Sequence, residues 1–157
     1  MALIARTLRD GCDGALVGMA ATAPMTAVMH ARHLSGAMRT QPPREVADAA
    51  LTAAGLDPGE RPRRAAAVGV HLGIGAAMGA PFAVAVRVLP PGPVSTATAG
   101  AGYGLGLWAA AYMGLVPALG VMPRADRDQR GRPRTMMLAH VVYGVVLAAG
   151  LRRVQRD

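Results

Sequence analysis

The sequence predicts an all-α polytopic membrane protein: four transmembrane helices set as two tandem helical hairpins, with a short amphipathic interfacial helix in the first hairpin. Three observations predict it. Of the 157 residues 52% are hydrophobic, and they come in long blocks. No Asp, Glu or Arg occurs in residues 65–86 or in residues 88–123. Uncharged stretches above about 18 residues read as spans, because a soluble core helix shows a charged face every second turn. Finally, "PMTAVM" (24–29) is echoed by "PALGVM" (117–122), and "HLGIG" (71–75) by "HVVYG" (140–144), in the same order.

In chain order, the first span covers residues 14–31 and carries Pro24. Residues 40–64 differ in character. Pro43 suits a first helical turn, where its missing N–H would be unpaired anyway. Glu45 and Asp48 sit near the positive end of the helix dipole. Val46, Ala47, Ala50, Leu51 and Ala54 form an apolar stripe, and Gly55 supplies a stop. This reads as a short helix lying on the membrane surface or against the bundle. Span two covers 65–86, "PPGP" (90–93) makes a turn, and span three covers 95–116. Span four, residues 135–151, is short at about 25 Å, so Arg134, Arg152 and Arg153 are expected to snorkel.

One membrane domain, 1–157, follows. Repeat 1 covers about 11–88 with the insertion 40–64, and repeat 2 covers about 94–153. Two spans per copy bring both copies into the membrane from the same side, as parallel repeats about an axis along the membrane normal.

The formal charge is +8, all 17 basic residues being Arg. They flank the apolar blocks, where they meet anionic lipid headgroups. Nucleic-acid binding is not expected, since it recruits aromatics among basic residues, and none of the five aromatics lies in a basic cluster. The loop 124–134 reads as solvated and headgroup-facing. A single cysteine, Cys12, excludes an intramolecular disulfide. The N-terminal run does not read as a cleaved signal, because Pro24 interrupts it and His30, Arg32 and His33 occupy the cleavage region. The positive-inside rule places the two Arg-rich loops in the cytoplasm and both termini outside.

"GAGYGLG" (100–106) invites a catalytic or conducting reading. A potassium filter needs a re-entrant loop, and a dinucleotide turn needs a preceding strand. Inside a long helix the glycines instead pair four apart, as Gly100/Gly104 and Gly102/Gly106. This small-xxx-small pattern lets helix backbones approach in lipid, and Gly14/Gly18, Gly69/Gly73 and Gly75/Gly79 repeat it. It serves bundle closure or dimerisation.

Polar residues at membrane depth are costly and mark function. His30, His71 and His140, with Pro24 and Pro117, form the candidate polar pocket near the face of the basic loops. Each proline withholds one N–H and frees a carbonyl, at Ala20 and Met113. The plainer reading has each imidazole bonded to such a carbonyl or to Thr22 or Thr26. The sharper ones are a proton or solute pathway gated by His71 and His140, or a haem or metal held by the same pair. The default expectation is no cofactor. The ten methionines read as core filling, since they do not recur as a close cluster in one loop. No catalytic residue is assigned.

The segments "ATAPMTAVMHARH", "PPREVADAAL", "YMGLVPALGVMPR" and "LAHVVYGVVLAAG" resemble those of the YagU-like family of small bacterial inner-membrane proteins, over roughly residues 14–151. The resemblance implies a multi-pass protein of the bacterial inner membrane, with no settled activity. The expected role is structural or interactive, as a homo-oligomer or as an accessory subunit to a membrane partner.

Overall fold

The computed structural model describes residues 1–36, 38–88 and 93–155. Its elements are α1 (Ala2–Leu34), α2 (Pro42–Ala53), α3 (Glu60–Ala85), α4 (Pro93–Trp108), α5 (Val116–Ala118) and α6 (Arg132–Val154), and no strand occurs among the described residues. A 3₁₀ turn (Val86–Val88) ends α3, and a π-helical turn (Ala109–Leu115) joins α4 to α5. The expected turn at 90–93 lies outside the described residues apart from Pro93, which begins α4.

The helix boundaries follow local chemistry. Pro42 and Pro43 open α2, with Glu45 in its first turn. The chain leaves α2 through Gly55 at φ +69°, a left-handed conformation that a side chain would resist. Gly131, at φ +90°, sits just before α6.

α1, α3 and α6 are long and apolar enough to cross a membrane. The third expected span differs. It is helical from residue 93 to residue 118, but the α-helical part is only 16 residues long and seven π-helical residues follow. Four uninterrupted spans are therefore corrected to three, plus one broken helix. Pro117 supplies a physical reason for a break there, since it cannot donate the bond that a continuing α-ladder requires. α1 is longer than expected, at 33 residues or about 50 Å. Its extra N-terminal turns carry Asp10, whose side chain is buried in an ion pair with Arg87 at the end of α3.

α1 packs along α3 and α6, and α4 packs along α6, whereas α3 and α6 barely touch. Glycine makes the close approaches. A methyl added at Gly14 or Gly18 would overlap the carbonyl oxygens of Gly79 or Gly75, and one at Gly100 or Gly104 would overlap those of Gly144 or His140. Tyrosines bridge the remaining side of the bundle. Tyr103 Oη donates to the Met78 carbonyl at 2.6 Å, and Tyr143 Oη to the Gly75 carbonyl at 2.7 Å. Leu147, Leu151 and Met29 fill the interior with no accessible surface.

Gly69 and Gly73, grouped with these in sequence, do not join the packing: nothing else in the chain lies within 4 Å of a Cβ built at either. They sit on the far side of α3 from the Gly75/Gly79 stripe. Gly18 and Gly100 take like positions, each against the glycine four residues after a histidine. The prolines then fall out of step. Pro24 lies six residues beyond Gly18, but Pro117 lies seventeen beyond Gly100. Pro24 is interior to α1, while Pro117 stands at the end of its helix, just before the left-handed Gly120.

Gly144→Ala is expected to force α4 and α6 apart and cost about 1–3 kcal/mol. Gly73→Ala, in open space, is expected to be neutral or to gain up to about 1 kcal/mol of helix propensity. Thermal midpoints in detergent compare the two.

Candidate functional site

Because α3 and α6 stand apart, the bundle holds a half-open cavity of about 330 Å³ beneath α2. His71 of α3 and His140 of α6 both line it, so the structure brings these two expected residues together. His30 is not with them. It follows the fully buried Met29 by one residue, about 100° round the helix, and is exposed. Pro24 and Pro117 are half-buried and line neither the cavity nor the groove beside it.

The cavity wall is apolar for the most part. Five methionines, Met25, Met29, Met78, Met122 and Met136, come to it from four separate parts of the chain. That grouping cannot be read from linear spacing. Among the described residues no group of three His, Cys, Asp or Glu could hold a metal ion. His140 Nδ1 lies 2.8 Å from the Met136 carbonyl of its own helix, rather than on a carbonyl freed by proline. His71 Nε2 is buried without a hydrogen-bond partner.

The roof is α2, whose Pro42, Pro43 and Val46 face the cavity. A polar clamp holds it, and here the expectation of a solvated loop at 124–134 holds for Arg124, Asp126 and Arg127, which are exposed, and is corrected for Asp128 and Arg132. The side chains of Arg132 and Asp128 are only 4% and 3% exposed. Arg132 Nη2 donates to Glu45 Oε2 at 2.6 Å and Nη1 to Thr40 Oγ1 at 3.3 Å, while Nε lies 3.3 Å from Asp128 Oδ2. Thr40 also donates to Glu45, and the Tyr112 hydroxyl of the π turn to Asp128. Arg39 N bonds Gln129 Oε1 at 3.0 Å. The "PPRE" segment is thus the half of the clamp carried by the first loop, and Asp128 with Arg132 is the other half. Loop arginines normally face water, and nothing in the spacing of Arg124, Arg127, Arg130, Arg132 and Arg134 distinguishes the buried one. The "PPRE" acid was the available signal, since a carboxylate beside an apolar helix start asks for a cation.

A second, more exposed ionic set ties α2 to α3. Arg44 pairs with Asp48 at 3.0 Å and with Glu60 at 2.9 Å, and Arg63 pairs with Asp48 at 3.1 Å and with Asp57. Partial desolvation pulls the Asp48 carboxyl upward, but hydrogen bonds and charge from Arg44 and Arg63 outweigh it and hold the group below the ordinary carboxylate value.

With that geometry established, comparison supplies a family: the model of a family of unknown function, DUF6789, matches residues 8–157. The chain belongs to DUF6789. No curated protein and no solved structure matches it. The YagU-like resemblance gains no support from these comparisons; DUF6789 is the family that the sequence matches.

Three outcomes are expected. Glu45→Ala leaves Arg132 buried with Asp128 as its remaining acid, and is expected to lower stability by about 3 kcal/mol. A Glu45→Ala/Asp128→Asn/Arg132→Met triple variant is expected to recover part of that loss in thermal melts, because no unpaired charge is then left buried at the clamp. The Asp48 contribution has the opposite pH sense to that of a histidine. Its folded pKa is depressed, so the stabilisation is complete above the unfolded carboxylate range, about pH 4–5, and is lost as pH falls through the lower folded value. Melts from pH 6 to pH 3 should show wild type losing its advantage over Asp48→Asn.

Proposed function

We propose that this chain is a multi-pass membrane protein of four helical spans that holds a small molecule in the cavity between its two halves, with His71 and His140 as the polar contacts. α1, α3 and α6 have spanning length and composition. The broken helix 93–118 carries no charge and is counted here as the fourth span. Leu16, Val68 and Leu138 are 62%, 59% and 51% exposed. Such faces suit lipid and would be a liability in water. Apolar helices rather than alternating strands favour the bacterial inner membrane over an outer one.

One observation carries the ligand reading: two histidines from different halves open onto a single, otherwise apolar cavity. A largely apolar pocket with a few converging polar groups is the usual form of a small-molecule site. The same pair suits a bound haem, or a proton or solute step at the interface between the halves. A second reading, a structural role as homo-oligomer or accessory subunit, is favoured by Gly69, Gly73, Gly102 and Gly106, none of which meets another part of the chain.

Native mass spectrometry of protein gently extracted from the producing membrane tests the ligand reading. Wild type should carry a near-stoichiometric bound mass that Ala111→Trp, which fills the cavity, loses. Identical bound masses in both would sink it. An absorption spectrum of the same sample reads a haem directly as a Soret band.

A further inference from the structure

The polar atoms around the cavity are mostly committed. Thr22 Oγ1 donates to the Met19 carbonyl at 2.7 Å, Tyr143 Oη to the Gly75 carbonyl at 2.7 Å, and the Tyr112 hydroxyl to Asp128. Each imidazole is committed through one nitrogen only, His71 to the Thr22 backbone and His140 to the Met136 carbonyl. The Met136 carbonyl 2.8 Å from His140 Nδ1 can only accept a hydrogen bond, so Nδ1 carries the proton. In the neutral ring Nε2 is then a bare acceptor. His71 Nε2 is buried with no hydrogen-bond partner. A molecule that satisfies His140 must therefore donate a hydrogen bond.

A second space lies beside the first. A groove of about 680 Å³ runs between α1 and α3, floored by Ala20, Ala23 and Ala67, with Pro43 and Arg44 of α2 at its end. Its outer rim carries the exposed Val68 and Leu72. Groove and cavity share Thr22, Met29, Pro43 and His71. His71 thus stands at the wall between an outward-facing apolar groove and the interior. The cavity, at about 330 Å³, is at the small end of ligand sites. It has room for a compact head, while the larger groove suits a chain. Flexible methionines around the head adapt to its shape.

Resting on the ligand reading above, we infer that the cavity receives a hydroxyl-bearing amphiphile dissolved in the bilayer. The molecule enters from the α1–α3 groove past His71, leaves its chain in the groove, and donates its hydroxyl to Nε2 of His140. The recognising chemistry is a neutral donor on an apolar body, as in a lipid-phase phenol or alcohol.

The test is equilibrium binding of radiolabelled 4-decylphenol to the full chain in phosphatidylcholine nanodiscs, competed by unlabelled phenol or by its methyl ether. The ether keeps the shape and chain but has no hydrogen to donate. The phenol should compete at least about tenfold better, the scale of one buried hydrogen bond. His140→Leu should remove that preference, so that phenol and ether compete equally. His140→Asn, whose amide can still reach the Met136 carbonyl but which lacks Nε2, should do the same if the leucine variant folds poorly. Ala67→Trp, which blocks the groove, should weaken binding of both probes. Equal competition by phenol and ether overturns this inference and leaves the cavity reading standing. No saturable binding of either probe overturns this inference too, and the cavity reading falls with it only if native mass spectrometry also finds no bound mass that Ala111→Trp loses.

Discussion

Backbone contact at glycine sets the frame on which everything else hangs. Where Gly14 and Gly18 meet Gly79 and Gly75, and where Gly100 and Gly104 meet Gly144 and His140, the helices approach until carbonyl oxygens face bare Cα atoms. Such contact gains dispersion along the backbone without ordering any side chain. It draws α1 onto α3 and α4 onto α6, and α1 then packs along α6 as well. α3 and α6, left apart, are joined by the Tyr143 hydroxyl on the Gly75 carbonyl, while the Tyr103 hydroxyl on the Met78 carbonyl and the Phe82–Tyr103 ring contact at 4.7 Å tie α3 to α4. The cavity is the space those longer side chains leave.

Polar groups then roof that space. A buried Arg132 carries a desolvation cost of several kcal/mol, offset only because Glu45, Asp128 and Thr40 surround it. A hydrophobic residue of similar volume would hold the roof about as strongly. What the ion pair adds is register: a guanidinium that must meet two carboxylates fixes where α2 lies and how the loop after α5 folds back. The π turn belongs to the same arrangement, since it carries Tyr112, whose ring stacks at 6.2 Å from Trp108 and whose hydroxyl reaches Asp128.

Membership of DUF6789 brings no activity with it, so function has to be argued from the site itself. The site is more specific than its family. Its committed hydroxyls, the unpartnered Nε2 of His71 and its thioether wall favour an apolar occupant over a highly charged one.

Much of this was legible in the sequence, because the signals were local. Charge-free blocks mark helices of spanning length, Pro42 and Pro43 followed by Glu45 mark the start of α2, and Gly55 marks its end. The histidine-to-glycine spacing at 71–75 and 140–144 identifies two residues that do share a cavity. Periodicity along one helix fixes which residues share a face, but not which faces find partners. Gly69/Gly73 and Gly75/Gly79 have the same spacing, yet only the second pair meets another helix. His30 sits at the expected depth but a third of a turn off the buried face. Arg132 looks like its neighbours until Glu45, 87 positions away, closes on it. The five cavity methionines are dispersed along the chain and converge only when the helices pack. Spacing along the chain is set by covalent geometry and survives in one dimension. The angle at which one helix meets another is decided by contacts between distant residues, and only the tertiary structure holds it.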